Sequence, residues 1–324
     1  MISDENLRIE LSKAGTLQEN ELLSRHTTMR LGGPARWFVQ VSSIDTLLVL
    51  MDFLEKEGIS WVVLGGGSNM VASDEGFAGV VIQPCLRSIS MDETGLVIAE
   101  SGAITALFAR QVSEAGWAGW EWGVGLPGTI GGAVVGNAGC FGGETADGLV
   151  WVEAWFPEDH QIKRVSKEEC VFGYRESSFK HQKSVILRAA WQLTRASDPE
   201  VSRARMHGIL AKRKEEQPLG AASAGCLFKN PRLNQAQMRN LETKFGPLPP
   251  SVQATGLIPA GWLIERVGLK GCSVGGMRVS DRHANFTIQS EKATAADLRS
   301  LRDHIQKTVL EACGVALETE VRFL

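Results

Sequence analysis

The stretch from Trp122 to Phe141 constrains this chain more than any other: twenty residues carry no charge, and seven are glycine (Gly123, Gly125, Gly128, Gly131, Gly132, Gly136 and Gly139). It is long enough to cross a bilayer. Pro127 and the glycines, each about 1 kcal/mol worse than alanine inside a helix, argue against a membrane span. Gly123-x-Gly125-x-x-Gly128 matches the dinucleotide-binding fingerprint letter by letter, with Glu144 near the expected acidic position. We reject that reading. Ala118-Gly-Trp-Glu-Trp122 is mixed rather than an apolar strand, and Pro127 with the glycines after it is not expected to open an ordinary helix. What remains is a long backbone surface suited to a large flat or phosphorylated ligand, or else a loop. Ile130, Val134 and Val135 favour burial.

The chain has 324 residues, which predicts two domains. With 34 Lys+Arg against 37 Asp+Glu, the net charge of −3 argues against a general nucleic-acid or membrane-surface binder. One basic pocket for a phosphorylated small molecule remains compatible with it. Six cysteines (Cys85, Cys140, Cys170, Cys226, Cys272, Cys313) form no C-x-x-C, and the charged start lacks the apolar core of a secretory signal. The expectation is a cytoplasmic protein with reduced thiols. The six histidines are scattered and no Walker A sequence occurs, so neither a metal site nor a P-loop is expected. No obligate protein partner is inferred.

The first 25 residues read as a polar lead-in. Arg36–Val41 is a predicted strand, Ser42–Glu57 a helix with Leu47, Leu50, Met51 and Leu54 on one stripe, and Ile59–Leu64 a strand running into Gly65-Gly66-Gly67-Ser68-Asn69. Gly79–Gln83 is a further strand and Ile104–Ala115 a further helix. Leu149–Phe156 and Ser184–Leu193 are strands bracketing Cys170–Lys180. Asp198-Pro199 opens a charged helix to about Glu216. Thr294-Ala-Ala-Asp297 resembles a capping box before a helix with Leu298, Leu301, Ile305 and Val309 on one face. Val315–Phe323 alternates like a strand, with Glu320 on its polar side.

Several segments carry candidate chemistry. Gly65–Asn69 leaves a strand with three glycines and two side-chain donors; a phosphate cradle and a tight turn fit it equally. Arg175, in Phe172-Gly-Tyr-Arg175, is able to clamp a carboxylate or to pair structurally with Glu176. Cys226 follows Gly225 and precedes Lys229 and Asn230; a lone cysteine is more often a small buried hydrophobe than a reactive group.

Taken in order, Thr28–Ala35, Leu64–Asn69, Gly125–Ala133, Asn137–Gly139, Phe172–Arg175, Ala224–Pro231, Ala260–Glu265, His283–Phe286 and Glu320–Arg322 resemble one family. It is the flavin-dependent UDP-N-acetylenolpyruvoylglucosamine reductases of bacterial cell-wall synthesis, in their shorter subtype. The ordered set covers nearly the whole chain from about residue 25 and is far more specific than any single motif. The resemblance implies an α+β chain. A vanillyl-alcohol-oxidase-type (PCMH-type) FAD-binding domain of two α/β subdomains would occupy residues 26–196, and an α+β substrate-binding domain residues 197–324. It implies non-covalent FAD held by Gly65, Gly66, Gly67, Ser68, Asn69, Gly128, Thr129, Gly132, Ala133, Asn137 and Gly139. NADPH would be the electron donor and UDP-N-acetylglucosamine-enolpyruvate the substrate. Arg175 and Glu320 would polarise the substrate carboxylate and Cys226 would supply the proton, where the family usually has serine. Tyr174, Lys229 and Asn230 would contact substrate.

Two departures stand out. Residues 232–259 form a longer piece than the shorter subtype normally carries, and Gln289 stands where asparagine is usual. Two other readings stay open: another flavin oxidoreductase on the same fold, and a non-catalytic binder of flavin or sugar nucleotide. Ser68 and Asn69 occupy the place where many related oxidases tether flavin through histidine, which disfavours covalent attachment.

Overall fold

The computed structural model describes residues 2–290 and 292–324. Its contacts divide the chain into two compact units. The first takes the chain up to Glu21, then Pro34–Gly66 and Phe77–Arg213; the second takes Leu22–Gly33, Gly67–Gly76 and Lys214–Leu324. This grouping differs from a single boundary near 196–200. Met29, Leu31 and Val71 explain the difference, because they pack in the same apolar cluster as Leu263, Met277 and Leu301.

Two larger sheets build the first unit, alongside two two-stranded pairs. One has the order Thr16–Leu22, Pro34–Val41, Phe77–Pro84, Trp61–Val63. Phe38 and Val62 both lie opposite Val81 in parallel registers. A parallel pair needs a crossover, and helix Ile44–Lys56 supplies it, burying Leu47, Leu50, Met51 and Leu54. The expected polar lead-in is instead a helix, Asp4–Ala14, capped by Ser3 and burying Leu7, Leu11 and Ala14. Its apolar stripe is one residue wide and diluted by charges, so the sequence pattern hides it.

The other sheet is antiparallel, in the order Gln161–Ser166, Leu149–Phe156, Val185–Gln192, Leu96–Glu100, Ile89–Met91. Helix Thr105–Glu114 brings Phe108 onto a cluster with Trp120 and Trp191, at ring centroid distances of 4.7 and 5.3 Å. The glycine-rich stretch does form a helix, Ile130–Gly136, contrary to the sequence expectation. Burial decides it. Ile130 and Val134 are fully buried, and the Ile130 and Gly131 amides donate to the carbonyls of Ala103 and Ser101 at 2.9 and 2.8 Å. Gly131 is tightly packed there: a Cβ would lie 3.0 Å from Ser101 Cβ, closer than Cβ atoms ordinarily come. Tertiary packing thus overrides poor propensity.

The second unit is centred on helix Ala295–Cys313, whose Leu298, Leu301, Ile305 and Val309 are buried. Thr294 and Asp297 form the expected reciprocal cap. Asp74 adds a second one, accepting from the amides of Ala295 and Ala296 at 2.7 and 2.9 Å. The 232–259 segment is part of this core. Helix Gln235–Phe245 opens on an Asn234/Gln237 capping box, and Leu241, Leu248 and Val252 join the main apolar cluster. A three-stranded antiparallel sheet runs Ser273–Val274, Met277–Val279, Thr287–Gln289. The predicted strand 315–323 keeps its alternating burial, with Val315, Leu317 and Val321 inside. Only Arg322–Phe323 within it pairs as a regular strand, parallel to Met70–Val71. Among the described residues no helix is long and apolar enough to cross a membrane.

Candidate functional site

In the first unit the two glycine segments meet. A Cβ on Gly66 would stand 2.6 Å from Gly128 Cα, and one on Gly65 2.7 Å from Thr129 Oγ1. Gln83 Nε2 donates to the Gly65 carbonyl at 3.2 Å and fixes the turn at the end of strand Trp61–Val63. Gly128, at φ 106°, lies in a region that glycine enters without strain. From there helix Ile130–Gly136 turns Ala133 inward. Gly132 and Gly136, one turn apart, carry no side chain on the same face. A Cβ at 136 would meet no heavy atom within 4 Å, and one at 132 only Thr129 Oγ1 at 3.7 Å. The result is a bare helical backbone face beside a glycine turn, open to a flat group. That arrangement fits FAD, whose pyrophosphate and ring need close backbone approach without side chains.

Asn137 ends this helix in the left-handed conformation, φ 40°, and is fully buried. Its amide is engaged with protein on both sides. Nδ2 donates to Gly173 O at 2.9 Å, and Oδ1 accepts from the Ala146 amide at 3.1 Å. Gly173 begins the Tyr174-Arg175 loop, which is tied back to the glycine-rich stretch at two more points. Ser177 Oγ donates to Val135 O at 2.7 Å, and Arg175 Nη2 to Gly139 O at 2.7 Å. The Arg175 guanidinium also lies 5.3 Å from the Tyr174 ring centroid, and Tyr174 is exposed. Glu176, the alternative partner for Arg175, has Lys180 Nζ at 3.7 Å and His181 Nε2 at 3.3 Å. Cys140, next to Gly139, bonds Trp122 O at 3.3 Å; burial pushes its thiol pKa up, against the opposing pull of Arg213 and Arg175.

In the second unit four separated sequence segments lie side by side. Cys226 bridges Phe286, and the Leu227 amide donates to Asn285 O at 2.8 Å. On the other edge the Glu320 amide donates to Leu227 O at 2.8 Å, while the Lys229 amide donates to Glu318 O at 2.8 Å. Glu320 is in turn joined to the glycine turn: Asn69 Nδ2 donates to Glu320 O at 3.2 Å, and the Arg322 amide to Asn69 O at 3.1 Å. Cys226 and Glu320 therefore sit on neighbouring extended segments joined by isolated bridges, and Asn69, expected as a cofactor ligand, also holds the backbone of Glu320. Thr28 links the remaining parts. Its amide donates to Gly67 O at 3.0 Å, and its own carbonyl accepts from the Ser223 amide at 3.1 Å. Gly67 admits no side chain, because at φ 60° a Cβ would lie 2.1 Å from His26 O. Ser68, beside it, is half-buried.

Two expected substrate residues also have structural engagements. Lys229 bonds Glu318 Oε1 at 2.5 Å, and Asn230 Oδ1 accepts from the Ala260 amide at 2.9 Å at the start of helix Ala260–Arg266. His283 lies 4.7 Å from the Phe286 ring, and burial lowers its pKa. Ser177 and Lys180 carry no expectation from the sequence. Both bond main-chain carbonyls, Ser177 that of Val135 and Lys180 that of Arg175, so no local pattern announces them. Among the described residues no cluster of histidine, cysteine and carboxylate side chains could hold a metal.

Comparison with known proteins agrees with these arrangements. Residues 35–166 match the family described as "FAD binding domain", and residues 217–324 match "UDP-N-acetylenolpyruvoylglucosamine reductase, C-terminal domain". The chain is 36% identical over 311 residues to the UDP-N-acetylenolpyruvoylglucosamine reductase of Chlamydia muridarum, covering 95% of each. It is 34% identical to that of a Synechococcus strain, covering 97% of this chain and 95% of the relative. The crystal structure of the reductase from Thermus caldophilus superposes with a TM-score of 0.74 at 30% identity, covering 95% of this chain and 99% of that one.

Proposed function

We propose that this chain, which belongs to the UDP-N-acetylenolpyruvoylglucosamine reductase family, reduces the enolpyruvyl ether of UDP-N-acetylglucosamine-enolpyruvate to UDP-N-acetylmuramate. NADPH is the electron donor and non-covalent FAD the carrier. When bound, FAD would supply hydride transfer between NADPH and the substrate. The hydride goes to the terminal methylene carbon, and a proton goes to the carbon bearing the ether oxygen. Between the two additions, negative charge spreads onto the substrate carboxylate.

This chain's residues serve that charge and that proton. Gly65, Gly66 and the Gly128–Gly139 segment hold the cofactor by backbone. Asn137 supports it from behind, since its own amide is engaged with Gly173 and Ala146. Arg175 stabilises the developing carboxylate charge, which is worth most when donors are held in place beforehand. Tyr174, Lys229 and Asn230 contact substrate, and Asn230 Oδ1 also accepts from the Ala260 amide at the start of helix Ala260–Arg266. Glu320 orients the carboxylate end of the reacting group. Cys226 delivers the proton. A thiol, with a reference pKa of about 8.5, gives up a proton more readily than a serine hydroxyl. The observation that supports the pairing of Cys226 with Glu320 is the bond from the Glu320 amide to the Leu227 carbonyl, which sets the two segments side by side. The reactants, and the six thiols with no disulfide among them, support a cytoplasmic setting.

The test is anaerobic NADPH oxidation by the purified flavoprotein. NADPH consumption should depend on the enolpyruvyl sugar nucleotide and yield a product heavier by two hydrogens. Oxidation that requires oxygen and ignores the sugar nucleotide would overturn the proposal.

A further inference from the structure

We propose that Lys180 is a positioning residue that holds the backbone of Arg175, and through it the guanidinium, in the orientation the reduction needs. The inference deepens the reading above and rests on the role given there to Arg175. Three observations carry it. First, Arg175 is left-handed, φ 57°, and Val171 in the same loop is at φ 45°. A residue with a side chain stays in that region only where its surroundings over-determine it. Second, the Lys180 side chain is only 13% exposed, on the short helical turn Ser178–Lys180. Its ammonium donates to the Arg175 carbonyl and faces Glu176 Oε1 at 3.7 Å. A lysine is rarely buried without such partners. Third, the rest of the loop is fixed by its own turn, in which Gly173 and Glu176 exchange amide–carbonyl bonds at 3.0 and 3.1 Å, and by the glycine-rich stretch. Asn137 holds Gly173 O, Ser177 holds Val135 O, and Gly139 O takes one guanidinium N–H of Arg175.

These bonds have a division of labour. Asn137 and Ser177 seat the loop on the helix that lines the cofactor face. Gly139 orients one edge of the guanidinium. Lys180 binds the carbonyl of Arg175 itself, the residue of the loop that carries both the left-handed φ and the guanidinium. Removing the ammonium lets that peptide rotate toward an ordinary conformation and swings the arginine side chain with it, while the cofactor face keeps its own supports. Lys180 thereby acts on substrate reduction rather than on flavin binding.

The experiment compares Lys180→Met, which keeps the length and apolar stem, with Arg175→Met and the double variant, all as flavin-loaded enzyme. The readouts are flavin content, thermal stability, NADPH-dependent flavin reduction, and anaerobic reoxidation by the enolpyruvyl sugar nucleotide. Lys180→Met should slow reoxidation at least tenfold and leave flavin content and NADPH-dependent reduction within twofold. On the Arg175→Met background it should add little, because two residues acting through one group are not additive. Wild-type reoxidation in Lys180→Met would overturn the proposal. So would a parallel loss of flavin, stability and both half-reactions, or a full additional loss in the double variant. If Arg175→Met itself reoxidises normally, the role given to Arg175 fails, and this proposal with it.

Discussion

Gly136→Ala separates the stability of the protein from its grip on the cofactor. Residue 136 closes helix Ile130–Gly136, and a Cβ there would meet no heavy atom within 4 Å. Alanine in place of a helical glycine lowers the entropy of the unfolded chain and stabilises by roughly 0.5–1 kcal/mol. For a folding unit of this size that raises Tm by about 2–4 °C per kcal/mol. The same methyl would project into the face assigned to FAD. An extra carbon forced against a closely packed group typically costs about 1–3 kcal/mol, a roughly 5- to 150-fold loss of affinity. Thermal unfolding of the apoprotein and an equilibrium FAD titration measure the two effects separately. The expected pair is unchanged or raised apoprotein Tm with weakened FAD binding. Gly66→Ala is the contrast: its Cβ would lie 2.6 Å from Gly128 Cα and 3.1 Å from Gly128 C, so apoprotein stability itself should fall. Unchanged FAD affinity in a stabilised Gly136→Ala protein would refute the placement of the cofactor on this face. A destabilised apoprotein would refute the claim that the face is open.

Three further outcomes are expected. Cys226→Ala should leave NADPH-dependent flavin reduction intact and stop substrate reduction, while Cys226→Ser keeps part of the rate; normal turnover by the alanine variant, followed in the same half-reactions, would remove Cys226 from the chemistry. Asn69→Ala frees the Glu320 carbonyl from its 3.2 Å bond. It should slow reoxidation by substrate several-fold more than it weakens FAD, as read by stopped-flow and flavin titration. His283 has its pKa lowered from 6.5 chiefly by burial, with Glu216 and Glu265 opposing and Lys270 reinforcing the shift. The fold favours the neutral ring, so this contribution is present above pH 6.5 and is lost as pH falls toward the folded pKa. Chemical denaturation should therefore show wild type losing stability relative to His283→Gln on acidification, with a constant difference at higher pH.

The sequence made some of this legible and hid the rest for identifiable reasons. Helix Ala295–Cys313 was readable because a capping box and a broad apolar stripe agree. Helix Asp4–Ala14 was not, because three buried residues stand among charges. Helix Ile130–Gly136 defies its glycine content because two of its amides bond Ser101 and Ala103 and its side chains are enclosed. The glycines at 65–66 and 128 were picked out as ligand-facing, yet much of their necessity lies in backbone touching backbone. Cys226 and Glu320 became readable only through the ordered family resemblance. Nothing in the local pattern tells a strand-borne glutamate or a lone cysteine from the many that merely face solvent or fill a core. The supports Lys180 and Ser177 bond main-chain carbonyls, and a carbonyl leaves no mark on the sequence.

The most direct measurement is a single turnover without oxygen. The flavoenzyme is reduced with one equivalent of NADPH, freed of NADP, and mixed with UDP-N-acetylglucosamine-enolpyruvate. The account predicts that the yellow colour returns at a rate fast enough to support steady-state turnover and that one UDP-N-acetylmuramate appears per flavin reoxidised. A flavin that stays bleached until air is admitted, with the enolpyruvyl ether recovered unchanged, would contradict it.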